Sequence, residues 1–433
     1  MSKTSEIPEI NPPKKDERSL LERITVRNSS LEAVLLPILS IFTAFAVGSI
    51  LIIFSNAEAL AAWGNFFKMP WVALKTSWQS IISAYSALGV GAFGDPKMIT
   101  EAIQVWRRTG EARPLLDAFR PISESLVYST PYIFAGLGVA LGFRGGLFNI
   151  GAEGQLFAAG LASVYVGYAV KGLPFPIHML VAILAGILAA AIWGAIPGYL
   201  KARYGAHEVI NTIMMNYIAF RLADYMLTGP MIAGKGALPI TPNVLPSAQI
   251  PALFPAPMRV HWGFFLALAV AGLVYWFLWK TPVGMEIRMV GANSRAARYA
   301  GVKIARITVL TMALSAGLAG LAGINQILGV EHRLVRAFSS GYGFDAIALA
   351  LLGNSHPFGV VLASLLFGFL RSGAARMQSA AGTPVELIRI IQGMVIVFVA
   401  APEIIRSLYG FNRTRKKKAA TSQVAEDAGE KND

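Results

Sequence analysis

Apolar runs separated by short polar or proline-rich stretches recur along nearly the whole chain. Predominantly apolar runs cover residues 33–54, 122–143, 156–170, 177–200, 263–279, 307–328, 359–373 and 388–405. A run of about 20 apolar residues crosses a hydrocarbon core of roughly 30 Å as an α-helix. The pattern therefore predicts an all-α polytopic membrane protein with about ten transmembrane segments (roughly 8–10). Two stretches leave that number open. Residues 344–352 are apolar but too short to span alone, and residues 71–93 hold a weaker run that suits the membrane interface first.

The most distinctive interruption is Gly145-Gly146-Leu147-Phe148-Asn149-Ile150-Gly151-Ala152-Glu153-Gly154-Gln155, set between apolar residues 132–143 and 156–170. Inside a membrane, irregular backbone persists only where protein or a water-filled cavity satisfies its polar groups. An acid at that depth is a candidate functional residue. The same residues also suit a tight cytoplasmic turn, with Arg144 marking the cytosolic face and Glu153 capping the next helix. Residues 208–227 are dense in polar side chains for a membrane helix: Asn211, Thr212, Asn216, Arg221 and Asp224. They suit a face turned to the bundle interior, or hydrogen-bonding glue between helices. A second break precedes Phe344-Asp345 and repeats the order of glycine-rich break, short apolar run and span. Broken or re-entrant helices at corresponding places in two halves point to a transport pathway at the midplane, and the pattern allows an inverted repeat.

Charge refines the topology. Residues 280–306 carry Lys280, Arg288, Arg295, Arg298, Lys303 and Arg306 against Glu286, so this short loop is placed in the cytosol. Residues 228–262 hold seven prolines and no acid, which predicts a non-helical external loop. Residues 55–121 combine an aromatic cluster (Trp63, Phe66, Phe67, Trp71, Trp78) with a charged stretch and are expected to be an expanded external or interfacial region. Flanking the transmembrane domain at 33–407, residues 1–32 are expected to be a polar cytoplasmic tail. Residues 408–433 are expected to be a disordered cytoplasmic tail whose Arg413, Arg415, Lys416, Lys417 and Lys418 also suit anionic lipid.

Composition excludes several classes. The chain is 55% hydrophobic and 14% charged, against roughly 25% charged for a soluble domain. The net charge of +14 reports topology rather than nucleic acid, since no basic patch interleaved with aromatics occurs. There is no cysteine, hence no thiol chemistry or disulfide. No phosphate-cradling G-x-x-x-x-G-K-[ST] loop and no G-x-S-x-G elbow are found. His178, His207, His261, His332 and His356 show no metal spacing. The chain has the build of a passage, with neither a catalytic set nor a metal site.

Four blocks in order carry a family resemblance. Phe148-Asn149-Ile150-Gly151-Ala152-Glu153-Gly154-Gln155, Glu208 to Ile218, Gly284 to Val302 and Gly341 to Gly353 resemble the blocks of permease subunits in ABC importers of the branched-chain amino acid/ribose/nucleoside permease superfamily. The likeness covers roughly residues 121–402 and is greatest to the nucleoside and simple-sugar branch. The resemblance implies a bacterial or archaeal inner-membrane importer with both termini of this chain in the cytosol. It implies a second permease subunit, expected to be a different chain, and ATP-binding subunits that carry ATP and Mg, so that this chain needs no cofactor. It also implies an extracytoplasmic substrate-binding protein.

Gly284, Arg288, Gly291, Asn293, Arg295, Ala297, Arg298 and Gly301 would then form the segment coupled to the ATPase. Phe148, Asn149, Gly151, Glu153, Gln155, Asn211, Asn216, Asn325, Phe344 and Asp345 are the expected pathway residues, with Phe148, Tyr217 and Phe344 available to stack a flat base. Nucleosides are the expected cargo, with simple sugars or branched-chain amino acids as alternatives. A stand-alone ion-coupled carrier is the alternative from another class, and the coupling segment opposes it.

Overall fold

The computed structural model describes residues 29–234 and 238–409, and the regular structure among them is helical apart from two isolated β-bridges, Ile240–Val335 and Ala252–His261. The expected tail before residue 29 and the basic run from Arg413 lie outside the described residues. The helices are α1 Ser29–Ser55, α2 Ala57–Gly64, α3 Pro70–Phe93, α4 Pro96–Thr109, α5 Arg113–Arg144, α6 Ala152–Ala169, α7 Ile177–Tyr204 and α8 Glu208–Thr228. They continue with α9 Gly263–Lys280, α10 Pro282–Ala292, α11 Ser294–Tyr299, α12 Ile304–Gln326, α13 Tyr342–Leu352, α14 Pro357–Ala381, α15 Val385–Ala400 and α16 Pro402–Leu408.

Among the described residues, six helices are long and apolar enough to cross a membrane, or seven if the bent pair α15 and α16 is one span. The six are Leu35–Ser55, Arg113–Arg144, Ile177–Tyr204, Gly263–Lys280, Ile304–Glu331 and Pro357–Ala381. Further helices, α3, α6, α8 and α13, are shorter or less apolar than this.

The chain divides into two units. The larger, residues 45–396, holds the site. Its core runs along α12, which packs on α5, α6 and α7. Small residues let these helices approach closely without any hydrophobic drive between them. A Cβ on Gly194 of α7 would lie 2.2 Å from the Ala316 methyl of α12, so only glycine fits there. Residues 55–121 are folded into α2, α3, α4 and the first turns of α5. The weaker run at 71–93 becomes α3, which packs along α14 through Ala84, Ala87, Leu88 and Gly91. Ser372 Oγ donates to Gly91 O at 3.2 Å, and Phe93 stacks on Phe369 at 4.6 Å. Trp71 and Trp78 point outward, as interface-anchoring aromatics do. Residues 229–262 hold no helix beyond one short turn, Pro246–Ala248, among the described residues. In the smaller unit, residues 1–44 with 397–433, Ser40 Oγ donates to Phe398 O at 3.3 Å and Thr43 Oγ1 lies 3.0 Å from the Tyr409 hydroxyl.

Candidate functional site

A helix start leaves backbone N–H groups without partners, and inside a membrane no bulk water can satisfy them. The break 145–151 meets this demand with side chains. Asn149 Oδ1 accepts the Gly151 N–H and the Gln155 amide, both at 3.0 Å. Asn149 Nδ2 donates to Gln155 Oε1 at 3.0 Å and to Ser315 Oγ at 2.9 Å. Asn216 reaches across from α8: its Oδ1 accepts the Gly154 N–H at 2.8 Å and its Nδ2 donates to Ile150 O at 2.9 Å. Asn149, Gln155 and Asn216 are all buried. They form a closed polar lock that fixes where α6 begins.

The second break is built differently. After α12 the chain passes through a π-helical turn, Ile327–Glu331, and then a loop to α13. Its backbone is left-handed at His332, Ala337, Ser340 and Gly341, a concentration of strain that marks functional segments. The start of α13 lies against the start of α6. Glu153 accepts hydrogen bonds from Ser339 Oγ and, at 2.7 Å, from the Gly343 N–H. Glu153 therefore caps a helix, but that helix is α13 rather than its own. A Cβ at Gly343 would stand 2.3 Å from the Glu153 nitrogen, so this contact requires glycine.

These two helix starts border a cavity of about 1140 Å³. Its lining residues come from α5, α6, α8, the strained loop, α13, α14 and α15, and every one of them lies within the larger unit. Of the expected pathway residues, Glu153, Phe344 and Asp345 line it. The Tyr132 hydroxyl donates to Asp345 Oδ2 at 2.8 Å and accepts from Arg371 Nη1 at 2.9 Å. Arg371 Nη2 also donates to Ser340 O at 3.2 Å. Its guanidinium lies 4.7 Å from the Tyr342 ring centroid, 5.6 Å from Tyr128 and 5.8 Å from Tyr132, within cation–π range. Arg336 Nε pairs with Asp224 Oδ1 at 3.0 Å on the same surface. Phe157, Phe220 and Phe367 supply apolar wall.

The other expected residues lie elsewhere. Gly151, Asn149, Gln155 and Asn216 stand behind the wall in the polar lock. Phe148 is half-exposed and packs on Phe143 at 5.0 Å, and Tyr217 points outward. The Asn211 Nδ2 is buried without a partner among the described residues. Asn325, also unpartnered, borders a void of about 10 Å³. Near Asn325 lies His261, whose Nδ1 accepts the Gly263 N–H at 3.1 Å. Burial, and then the neighbouring His332, push His261 down to about 4. Among the described residues, no group of three His, Cys, Asp or Glu could hold a metal ion.

Sequence reasoning passed over Arg371, Tyr128, Tyr132 and Tyr342. A signal for the arginine existed. Arg371 interrupts the apolar run 359–373, and an ionisable residue inside such a run marks a pathway by default. The tyrosines carried no such mark, because Tyr is ordinary at membrane depth near an interface.

The basic loop folds as two short helices. Asn293 caps α11, its Oδ1 accepting the Arg295 and Ala296 N–H groups at 3.0 and 3.1 Å. Ala297 is buried while Arg295 and Arg298 are exposed. Arg288 is committed to its own chain: its Nε donates to Leu278 O at 2.9 Å and its guanidinium lies 5.7 Å from the Trp279 ring. Gly291 packs on the backbone just before the first break, where a Cβ would sit 2.1 Å from Arg144 O. Gly284 lies as tightly on Phe277 O, and Gly301 takes a left-handed φ of +85° that suits a residue without Cβ.

The family model described as branched-chain amino acid transport system / permease component matches residues 122–400. The chain is similar to a guanosine ABC transporter permease protein of Bacillus subtilis, 38% identical over 79% of this chain and 92% of the relative. It is similar to a glucose ABC transporter permease protein of Haloferax volcanii, 37% identical over 66% of this chain and 77% of the relative. It is also similar to a nucleoside ABC transporter permease protein of Lactococcus lactis, 31% identical over 72% of this chain and 88% of the relative. No solved structure gave a significant match.

Proposed function

This chain belongs to the family of branched-chain amino acid transport system permease components, and from that membership we propose that its cavity carries nucleosides through an ATP-driven importer. It is a multi-pass plasma-membrane transport subunit and not an enzyme. The observation that carries the cargo assignment is the meeting of α6 and α13 at Glu153, beside the cavity. Helix starts present N–H donors and partial positive charge, and broken helices use them to hold polar cargo at the midplane.

The cavity's charges are mutually balanced: Glu153, Asp224 and Asp345 face Arg336, Arg371 and Arg389. An uncharged polar cargo suits this lining better than an ion. Phe157, Phe220 and Phe344 suit a flat base. Nucleoside permeases among the relatives support the same choice. The glucose permease relative supports a second candidate, a simple sugar, which would leave the aromatic faces without a stacking partner.

Energy enters from other chains. Exposed Arg295 and Arg298 on α11 suit the acidic rim of a cytosolic ATPase cleft. The ATPase subunits would bring ATP and Mg, a second and different permease chain would complete the pathway, and an extracytoplasmic binding protein would deliver cargo. In this arrangement both termini of the chain lie in the cytosol.

Uptake of radiolabelled uridine, inosine, ribose, glucose and leucine by cells with and without the gene tests the proposal. Loss of nucleoside uptake alone is expected. Loss of sugar or leucine uptake instead would overturn the cargo and leave the family assignment in place.

A further inference from the structure

Arg371 and Asp345 stand on either side of one phenol oxygen, 2.9 Å and 2.8 Å from it. Neither is exhausted by that contact. Among the described residues, Asp345 Oδ1 accepts no hydrogen bond, and Arg371 uses only Nη1, to Tyr132, and Nη2, to Ser340 O. A guanidinium carries further N–H donors on Nε and on each Nη, and these stay uncommitted. Both residues line the cavity. The aromatic ring under the guanidinium and the anchored Nη groups hold its plane fixed. The site therefore offers free guanidinium donors and a free carboxylate oxygen on the two sides of the Tyr132 hydroxyl.

We propose that Arg371 and Asp345 select nucleosides whose base carries a lactam edge, a ring carbonyl next to a ring N–H. The inference rests on the nucleoside assignment above. In such a base the carbonyl oxygen accepts from Arg371 and the adjacent N–H donates to Asp345 Oδ1. An arginine also donates to the guanine carbonyl O6 in DNA recognition, although there its second donor goes to N7 rather than to the lactam edge. Hypoxanthine, guanine and uracil have that edge. Adenine and cytosine have the opposite order, an amino group beside a bare ring nitrogen. In the same pose their amino hydrogens would face the arginine donors, and their ring-nitrogen lone pair would face the carboxylate. A site built to hydrogen-bond one pattern rejects the reverse strongly, because its own polar groups are left unpaired.

The test uses the complete importer, with its own binding protein and ATPase, in cells lacking other nucleoside uptake. Inosine and adenosine differ only at this edge, so they are the paired probes. The initial-rate ratio of inosine to adenosine uptake is measured for the native chain and for Asp345→Asn and Arg371→Lys. The asparagine replaces an acceptor by an amide that also donates, and the lysine keeps the charge but loses the planar fork. The binding protein is the same throughout, so any change in ratio belongs to this chain. The expected result is a fall of about tenfold in the ratio for each variant, the scale of one mispaired buried hydrogen bond. A ratio unchanged in either variant that reaches the membrane at native yield overturns the inference while nucleoside transport stands. A native chain that carries neither inosine nor adenosine nor uridine overturns the nucleoside assignment, and this inference with it.

Discussion

Two groups of polar side chains meet at the start of α6, and they serve opposite ends. Asn149, Gln155 and Asn216 pack into a sealed lock, hydrogen-bonded to one another's segments and to the backbone at the start of α6. Glu153 has its carboxylate satisfied too, through Ser339 and Gly343 at the start of α13, but it also lines the cavity. The first group fixes backbone. The second joins two broken helices beside the cavity. Polarity at membrane depth is therefore not a sufficient mark of a pathway: a polar group that finds all its partners in the wall is architecture.

The sharpest break of this comparison is to open the lock. Asn149→Leu strips partners from Gln155, Ser315 and the Gly151 N–H. Each buried group left unpaired costs about 1–3 kcal/mol. The variant is expected to lose most of its yield in the membrane and to melt earlier in detergent. Native yield and melting temperature would mean the lock is not structural.

Glu153→Gln addresses the other group with a smaller expected effect on folding. The amide keeps the shape and one acceptor, so stability is expected to fall by about 1 kcal/mol. Uptake is expected to fall at least about tenfold, because the amide adds donors where α13 already presents one. Normal uptake and normal cargo-stimulated ATP hydrolysis would remove Glu153 from the pathway.

The basic loop offers a parallel contrast. Arg295→Glu with Arg298→Glu changes exposed charge only, so the chain is expected to reach the membrane while its ATPase no longer co-purifies. Arg288→Glu breaks a bond to Leu278 O and a contact with Trp279. It is expected to lower the yield of the chain itself. Equal behaviour of the two variants would erase the distinction.

The last contrast concerns pH. His261 sits at about 4 in the fold, below an ordinary value of about 6.5. Its neutral form is favoured by folding, so this stability is present above about pH 6.5 and is lost as pH falls toward 4, with a slope of up to about 1.4 kcal/mol per unit. A melting series from pH 7 to 4.5 should show the decline, and His261→Phe should flatten it. An identical slope in the variant would assign the decline to other groups.

The chain's apolar runs determined much by themselves. Residues 122–143, 177–200 and 263–279 lie inside helices α5, α7 and α9, and 307–328 fall in α12 and the first residues of the π-helical turn after it, because a membrane leaves an apolar run of that length little choice but helix. The two breaks were legible for the same reason, since glycine and polar residues stand out against an apolar background. So was the short helix 344–352, realised as Tyr342–Leu352. The family followed from the order of four blocks. What the sequence left undecided was which side of each helix meets empty space. Asn149 and Glu153 are four positions apart and equally unusual in composition. Only packing against Ser315, Ser339 and Gly343, more than 150 residues away, sends one into the wall and the other to the cavity. The Tyr132 bridge joins residues 213 and 239 positions away, and no local pattern encodes such a meeting. Helix formation is a local consequence of apolarity and backbone hydrogen bonding. The cavity is a consequence of how helices fail to touch, and that belongs to the tertiary structure alone.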